Sequence, residues 1–379
     1  MLRDEIRTRT IKRPITIAPT GSDKYGSRVN YRATGSVPVS FVIPTRNRPD
    51  FIRQSLAILK TQRGGDFEVV ISDNYTDESL SCEKICIKSG LDNLVYAHPK
   101  TPLSMGENWE YPLSFASGEY IAYLGDKMFV LPNALWYIEQ AVAQWNSPEI
   151  ITWTTDSWFP TEYPKYFGAG SYYIGPPNSV GPFIPAEALN RRGVWGRGGD
   201  NSQNYWRGKI CFGAYHRDLV SRIVGRHGSL FQPLPDSGID WGTTGISPDY
   251  TSMILGLSNA QSAVEIADSC VVQIFTDISG GYLSDTFDER ARLNIAEELW
   301  DSLPIPGLYV AHTNYVAHDF LALKEKFDLP FDFDLPNWID FCIKDIYKPD
   351  RVWSSNAVEL QQKRILTSLV AKGLASGKA

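Results

Sequence analysis

The side chains that could do chemistry stand in short polar stretches that follow apolar runs. Val39-Ser-Phe-Val-Ile43 breaks into Pro44-Thr45-Arg46-Asn47-Arg48-Pro49, and Glu68-Val-Val-Ile-Ser72 ends in Asp73-Asn74. The first loop is too polar and too rich in proline to continue a strand or a helix, so it reads as a ligand loop. A carboxylate at a strand tip, such as Asp73, can accept hydrogen bonds from a ribose or from the N–H edge of a base. It can equally cap the helix that follows. Ser104 is a candidate helix cap, and the helix start behind it offers backbone N–H groups, Gly106 and Asn108 to a phosphate or ribose. A routine capped turn explains the same residues. In Ser247-Pro248-Asp249-Tyr250, Ser247 caps a helix, Pro248 fits its first turn and the helix dipole favours an ionised Asp249. Such a carboxylate is a general base or merely a dipole partner, and Asp236 and Asp240 are its rivals.

These loops need elements to position them. Apolar runs that end abruptly in polar residues are the mark of buried parallel strands delivering loops to the carboxyl edge of a sheet. That edge is where open α/β sheets bind ligands. The pattern predicts strand 39–43, helix 50–62 capped by Asp50, strand 67–72, helix 78–89, strand 93–97, helix 106–117, strand 119–124, helix 132–145 and strand 149–154. This alternation implies an α/β fold with a mostly parallel sheet and helices on both faces. Residues 158–206, crowded with Gly, Pro, Tyr and Trp, read as a long irregular lid. Within it Arg191, Arg192 and Arg197 could fold over a diphosphate or stay in a solvated loop. A short strand at 209–212, a helix from Asp218 and a final strand at 264–274 follow. Helical segments at 287–300, 313–327 and 337–347, and an amphipathic stretch at 358–370, make a helical C-terminal extension.

Composition narrows the partners. At 379 residues with 43% hydrophobic and 21% charged content, the chain can bury a large core as a soluble globular protein. A net charge of −6 and a pI near 5.5 argue against nucleic acid, which selects a basic footprint. Aromatic content of 12% suits stacking on sugar faces as well as an aromatic core. Five cysteines without zinc-type pairing suggest free thiols in a reducing, cytoplasmic setting, with Cys82 and Cys86 as buried apolar residues. His98, His216 and His227 show no ligand spacing. No apolar run approaches the roughly 20 residues that span a bilayer. The 358–370 stretch could still touch a membrane surface or a partner. The N-terminal arm, read as an added edge strand or an arm onto a partner, and the C-terminal helices are candidate surfaces for a homo-oligomer.

Together the runs Val39 to Pro49, Val69 to Asn74 with Thr76-Asp77, Gly106-Glu-Asn108 and Ala116 to Asp126 resemble the nucleotide-binding half of family 2 glycosyltransferases with the GT-A fold. The likeness covers roughly residues 38–136. It implies an enzyme that moves a sugar from a nucleotide-sugar donor to a glycan or glycolipid acceptor, usually with inversion. By the same resemblance Pro44, Thr45, Arg46, Asn47 and Asp73, with Asn74, Gly106 and Asn108 nearby, would contact base and ribose. The segment Leu124-Gly125-Asp126-Lys127-Met128 would stand where the family holds a divalent metal with an Asp-x-Asp motif, and Asp249 would be the catalytic base.

The motif departs from the family pattern. One acid, Asp126, is followed by Lys127 and Met128. Hard cations such as Mn or Mg want several oxygen ligands, whereas a lysine can neutralise a leaving diphosphate directly. Three expectations follow: metal-independent transfer with Lys127 and nearby arginines stabilising the leaving group, a weak metal site through Asp126 alone, or a non-catalytic binding relative. A sugar nucleotidyltransferase would instead place a glycine-rich phosphate loop after the first strand. The division expected is an arm at 1–37, a nucleotide-sugar half at 38–157, an acceptor, lid and catalytic half at 158–285, and the helical extension at 286–379.

Overall fold

The computed structural model describes residues 38–160, 169–175, 180–195, 207–234, 238–240, 242–276 and 312–346, with short pieces at 16–17, 28–30, 299, 302–306, 308 and within 363–373. The parallel heart of the sheet is β3 (Val39–Thr45), flanked by β4 (Phe67–Asp73) and β6 (Tyr120–Tyr123), with β5 (Leu94–Ala97) outside β4. The edge beyond β5 is covered antiparallel by β2 (Arg28–Asn30) and then β1 (Thr16–Ile17), so the arm does add edge strands. On the other side β11 (Gly213–His216) pairs antiparallel with both β6 and β8 (Ile150–Phe159). Beyond β8 lies β12 (Ala263–Ile274), parallel to it, followed by β10 (Gly181–Phe183). The hairpin-sized pieces β7 (Met128–Val130) and β9 (Ser171–Tyr173) pair with β12 and β8.

The sheet is therefore mixed. A parallel neighbour needs a crossover, usually a helix, and the chain supplies one after β3, β4 and β5. After β6 a turn closed by Met128 N–H on the Gly125 carbonyl replaces it, and β7 follows at once.

Two apolar layers cover the two faces. Residues of one parity, Phe41, Ile43, Val69 and Ile71, pack against α1 (Pro49–Leu59), α2 (Glu83–Lys88) and α4 (Ala134–Gln144). Their neighbours of opposite parity, Val42, Val70 and Ile121, pack against α5 (Pro185–Trp195), α6 (Arg217–His227), α7 (Pro248–Asn259), α8 (His312–Phe327) and α9 (Leu335–Ile346). Successive strand side chains point to opposite faces, so both faces must be apolar. The C-terminal helices α8 and α9 share this second core through Val316, Phe320, Leu323 and Trp338.

Several local expectations change. Asp50 does not cap α1: Arg48 is the N-cap residue, Pro49 opens the helix, and Asp50 in the first turn pairs with Arg53. The helix expected over 106–117 is α3 (Met105–Glu110) followed by a 3₁₀ turn at Tyr111–Ser114, because Pro112 has no N–H to continue the ladder. The segment 78–89 splits into a 3₁₀ turn, held by Asp77 accepting from Ser79 N–H, and the short α2. The strand expected at 209–212 is a 3₁₀ turn at Ile210–Phe212, and pairing begins at Gly213, where a Cβ would stand 2.4 Å from the Ile151 carbonyl oxygen. The stretch 158–206 is not irregular throughout. It contains β9, β10 and α5, whose Gly193 lies so close to Asp332 that no side chain fits. The segment 287–300, apart from residue 299, and most of 358–370 lie outside the described residues. All five thiols are free and buried, as read from the sequence.

Candidate active site

The carboxyl edge of β3, β4 and β6 brings most of the expected residues together. Asp126, just past β6, is buried, and Arg48 Nη1 bonds both of its oxygens, at 2.7 and 2.9 Å. Thr45 Oγ1 donates to the same carboxylate at 3.3 Å. The next residue, Lys127, is half-buried, and its backbone carbonyl accepts from Ile274 N–H at 2.8 Å, which anchors it to β12. Desolvation by burial, aided by the Arg48 charge and opposed by Asp126, lowers the Lys127 ammonium to about 8. The result is a compact group of two cations and one acid.

This donor set does not fit a divalent metal. Both Asp126 oxygens already accept from a guanidinium, and the following side chains are an ammonium and a thioether. Among the described residues no group of three or more His, Cys, Asp and Glu side chains could hold a metal ion.

Asp73 closes β4 beside this group. Its Oδ2 accepts from Cys82 N–H at 2.7 Å and from the Tyr96 hydroxyl at 2.9 Å, and so steadies the start of α2. Oδ1, equally buried, has no partner. Burial raises the Asp73 carboxyl, against the opposing pull of the Cys82 N–H, the Tyr96 hydroxyl and His98. One oxygen of Asp73 thus serves the helix start, and the other is an acceptor in want of a donor. A buried acceptor without a donor is rare in folded proteins. Asp73 has no exposed surface, so a ligand reaches Oδ1 only if neighbouring side chains move. Next to it the Tyr75 and His98 rings stack at 4.0 Å, and a His98 nitrogen lies 2.8 Å from the Asp73 carbonyl oxygen. If that orphan oxygen serves a nucleobase, Asp73→Asn loses a charge-assisted bond of about 1.5–3 kcal/mol. Nucleotide affinity measured by calorimetry is then expected to fall roughly 10- to 100-fold.

The other expected contacts turn out to build the walls. Asn74 exchanges two 2.8 Å bonds with the backbone of Leu103, and Asn108 accepts from Ser72 Oγ at 2.7 Å. Asn47, with φ of 57°, clasps Thr76 through both ends of its amide and ties the first loop to the second. Pro44 and Thr45 are buried, while Arg46 projects to solvent. Gly106 allows a close approach, since a Cβ there would come 3.0 Å from Pro233 Cα. Gly125 carries the turn into β7. Ser104 is a true cap, with the full reciprocal capping box through Glu107.

Asp249 belongs to a second cluster, on α7. Its Oδ2 lies 3.3 Å from Lys209 Nζ, and that ammonium sits 3.8 Å from the Tyr250 ring centroid. Lys209 is 1% exposed, whereas Asp249 keeps about a third of its side chain accessible. Of the rivals, Asp240 organises its own turn by accepting from Gly242 N–H and Thr243 Oγ1, and Asp236 lies outside the described residues. Arg192 is buried in α5 and donates to the Arg207 carbonyl, Arg191 is exposed, and Arg197 lies outside the described residues. A surface cavity of about 500 Å³ lies apart from these residues, between α1 and α2, lined by Arg53, Lys60, Lys84 and Lys88.

Three residues here escaped the sequence reading. Arg48 was read only as part of the ligand loop and given no role of its own, although it is the basic residue in front of Pro49 that faces the lone acid. Lys209 stands in the apolar run Gly208 to Phe212, and a charge in such a run must find a partner when buried. Asp319 gives a similar signal within the largely apolar face of α8.

Comparison with known proteins now bears on these residues. Residues 40–167 match the family model described as glycosyl transferase family 2. A curated relative, the O-antigen biosynthesis protein RfbC of Myxococcus xanthus, is 29% identical over 126 residues, which is 32% of this chain. The chain spans only 10% of that protein's length. Crystal structures of S. aureus TarS are similar at 14–15% identity. The TarS 1-349 complex with UDP-GlcNAc aligns over 90% of this chain and 93% of its own, with a TM-score of 0.49. A second TarS structure aligns over 89% of this chain and 53% of its own, with a TM-score of 0.47. The fold is mixed α/β with a helical C-terminal region, and no described helix is long and apolar enough to cross a membrane. The likeness to glycosyl transferase family 2 covers residues 40–167 of this chain.

Proposed function

We propose that the protein is an inverting glycosyltransferase that moves a sugar from a nucleotide-diphosphate donor to an acceptor hydroxyl in polysaccharide or glycoconjugate assembly. The observation that carries this reading is the Arg48, Asp126 and Lys127 group next to Asp73, within the segment that matches the family model. Asp73 and the 44–47 loop hold the nucleoside. Arg48 and Lys127 face the diphosphate, and their charges do the neutralising that a metal performs elsewhere. In the transfer step the acceptor oxygen bonds to the anomeric carbon as the bond to the phosphate oxygen breaks. The electron pair leaves with the diphosphate, and the hydroxyl proton passes to Asp249.

One observation favours a second reading, a non-catalytic relative that binds nucleotide or carbohydrate. The buried Lys209 ammonium donates to Asp249 Oδ2 at 3.3 Å and so occupies an oxygen that would have to take the acceptor proton. The two readings separate in one assay. Incubation with a panel of UDP-, GDP-, dTDP- and CMP-sugars, with and without glycan or glycolipid acceptors, is expected to release free nucleotide from one donor in an acceptor-dependent way. Nucleotide binding without any release would establish the second reading instead.

A further inference from the structure

Helix α7, which carries Asp249, starts without a cap of its own. Ser247 is the N-cap residue, but its side chain makes no cap bond, and Pro248 follows it. The backbone donors at this corner are met from another part of the chain. Asp319 of α8 accepts from Ile246 N–H at 2.7 Å through Oδ1 and from Ser247 N–H at 3.1 Å through Oδ2. Beside it a His318 nitrogen lies 3.0 Å from the Thr244 carbonyl oxygen. Two successive residues of one C-terminal helix thus grip the segment 244–247 that leads into Asp249. Both are buried, and Asp319 has no exposed surface at all.

A buried carboxylate is costly unless it is well bonded, and hydrophobic replacements of buried charges often stabilise a fold. Packing alone therefore does not account for Asp319. We infer that Asp319 is a positioning residue for Asp249: its carboxylate fixes the 246–247 backbone, and through it the direction in which the base meets the acceptor hydroxyl. This rests on the reading of Asp249 as the base. It also gives the C-terminal helices a part in the chemistry.

The surroundings provide a readout that a purely structural cap would not move. Burial pushes the Asp319 carboxyl up to about 7, against the Ile246 N–H and the Ser247 hydroxyl and N–H, with the Asp249 charge adding to the rise. The charged and titratable groups around it are Asp249 on α7, Lys209 behind Asp249, and His318 on α8, which burial keeps towards its neutral form. Below about pH 7 Asp319 gains a proton, becomes a poorer acceptor and loosens its hold.

The test measures kcat and KM for transfer against pH in the wild type, in Asp319→Asn and in Asp319→Glu, with nucleotide affinity as the check on folding. Wild-type kcat should fall as pH drops through about 7. Asp319→Asn, permanently neutral, should lack that step and run about 10- to 100-fold below the wild type at pH 8, as expected for a base misplaced by a fraction of an ångström. Its KM for the donor and its nucleotide affinity should be unchanged. Should Asp319→Asn not fold, Asp319→Glu keeps the charge but displaces it, and should lower kcat while retaining the pH step. Wild-type kcat in the folded variant, or equal losses in kcat and nucleotide affinity, would overturn the inference. Asp249→Asn is assayed alongside. If it is inactive while Asp319→Asn is normal, only the positioning role falls; if it is fully active, the role of Asp249 falls and this inference with it.

Discussion

Replacing Asp249 by Asn lowers the rate of glycosyl transfer by about 10²–10⁴-fold and leaves nucleotide affinity unchanged. The amide has the shape of the carboxylate but cannot take the acceptor proton. Affinity is spared because Asp249 stands on α7 with Lys209 and Tyr250, whereas Asp73, Asp126 and Arg48 form the group on β3, β4 and β6. Steady-state kinetics beside calorimetric titration of the nucleotide checks both halves. A variant with near-normal kcat would remove Asp249 from the mechanism.

Replacing Lys127 by Met lowers kcat by about 10²–10³-fold, the usual cost of losing one preorganised group that stabilises charge developing in the transition state. The pH profile makes the prediction specific. An ordinary lysine keeps its charge to pH 10 and beyond, but burial brings Lys127 down to about 8. The charge that meets the leaving diphosphate is therefore present below that value and is lost as pH rises through it. In the wild type kcat/KM should decline on the alkaline side near pH 8. Lys127→Arg, charged throughout, should carry activity to higher pH even where its geometry lowers the maximum. An alkaline limb that stays in place in Lys127→Arg would show that another group produces it.

The parallel half of the sheet was legible because its information is local. Val39 to Thr45 and Phe67 to Asp73 are apolar runs of strand length with polar tips, and the helices between them show an apolar stripe. What lay beyond the reach of pattern was set by distant contacts. The mixed half depends on β11 slotting between β6 and β8, and nothing in Gly213–His216 announces its neighbours. Helix α5 was hidden because Gly193 and two arginines, Arg191 and Arg192, suggest loop, while its packing on α7 and α9 makes it helical; Trp338 Nε1 donates to the Gly193 carbonyl at 2.8 Å. In the site the types were readable and the partners were not. Asp126 stood out as a lone acid, but the guanidinium on it comes from a residue 78 positions away. Asn74 and Asn108 carry the right chemistry for a ligand and spend it on the frame. Ser247 looked like a cap, but its side chain makes no cap bond and its own N–H is held by Asp319, 72 positions further on.

In the proposed mechanism Arg48 and Lys127 take over the role of a metal in holding the donor diphosphate. Calorimetric titration with UDP, GDP, dTDP and CMP, each in excess EDTA and again in manganese, tests it most directly. One nucleotide should bind with the same affinity in both buffers, and Arg48→Met should weaken it in both. Binding that appears only with manganese, or no binding by any of the four, would contradict it.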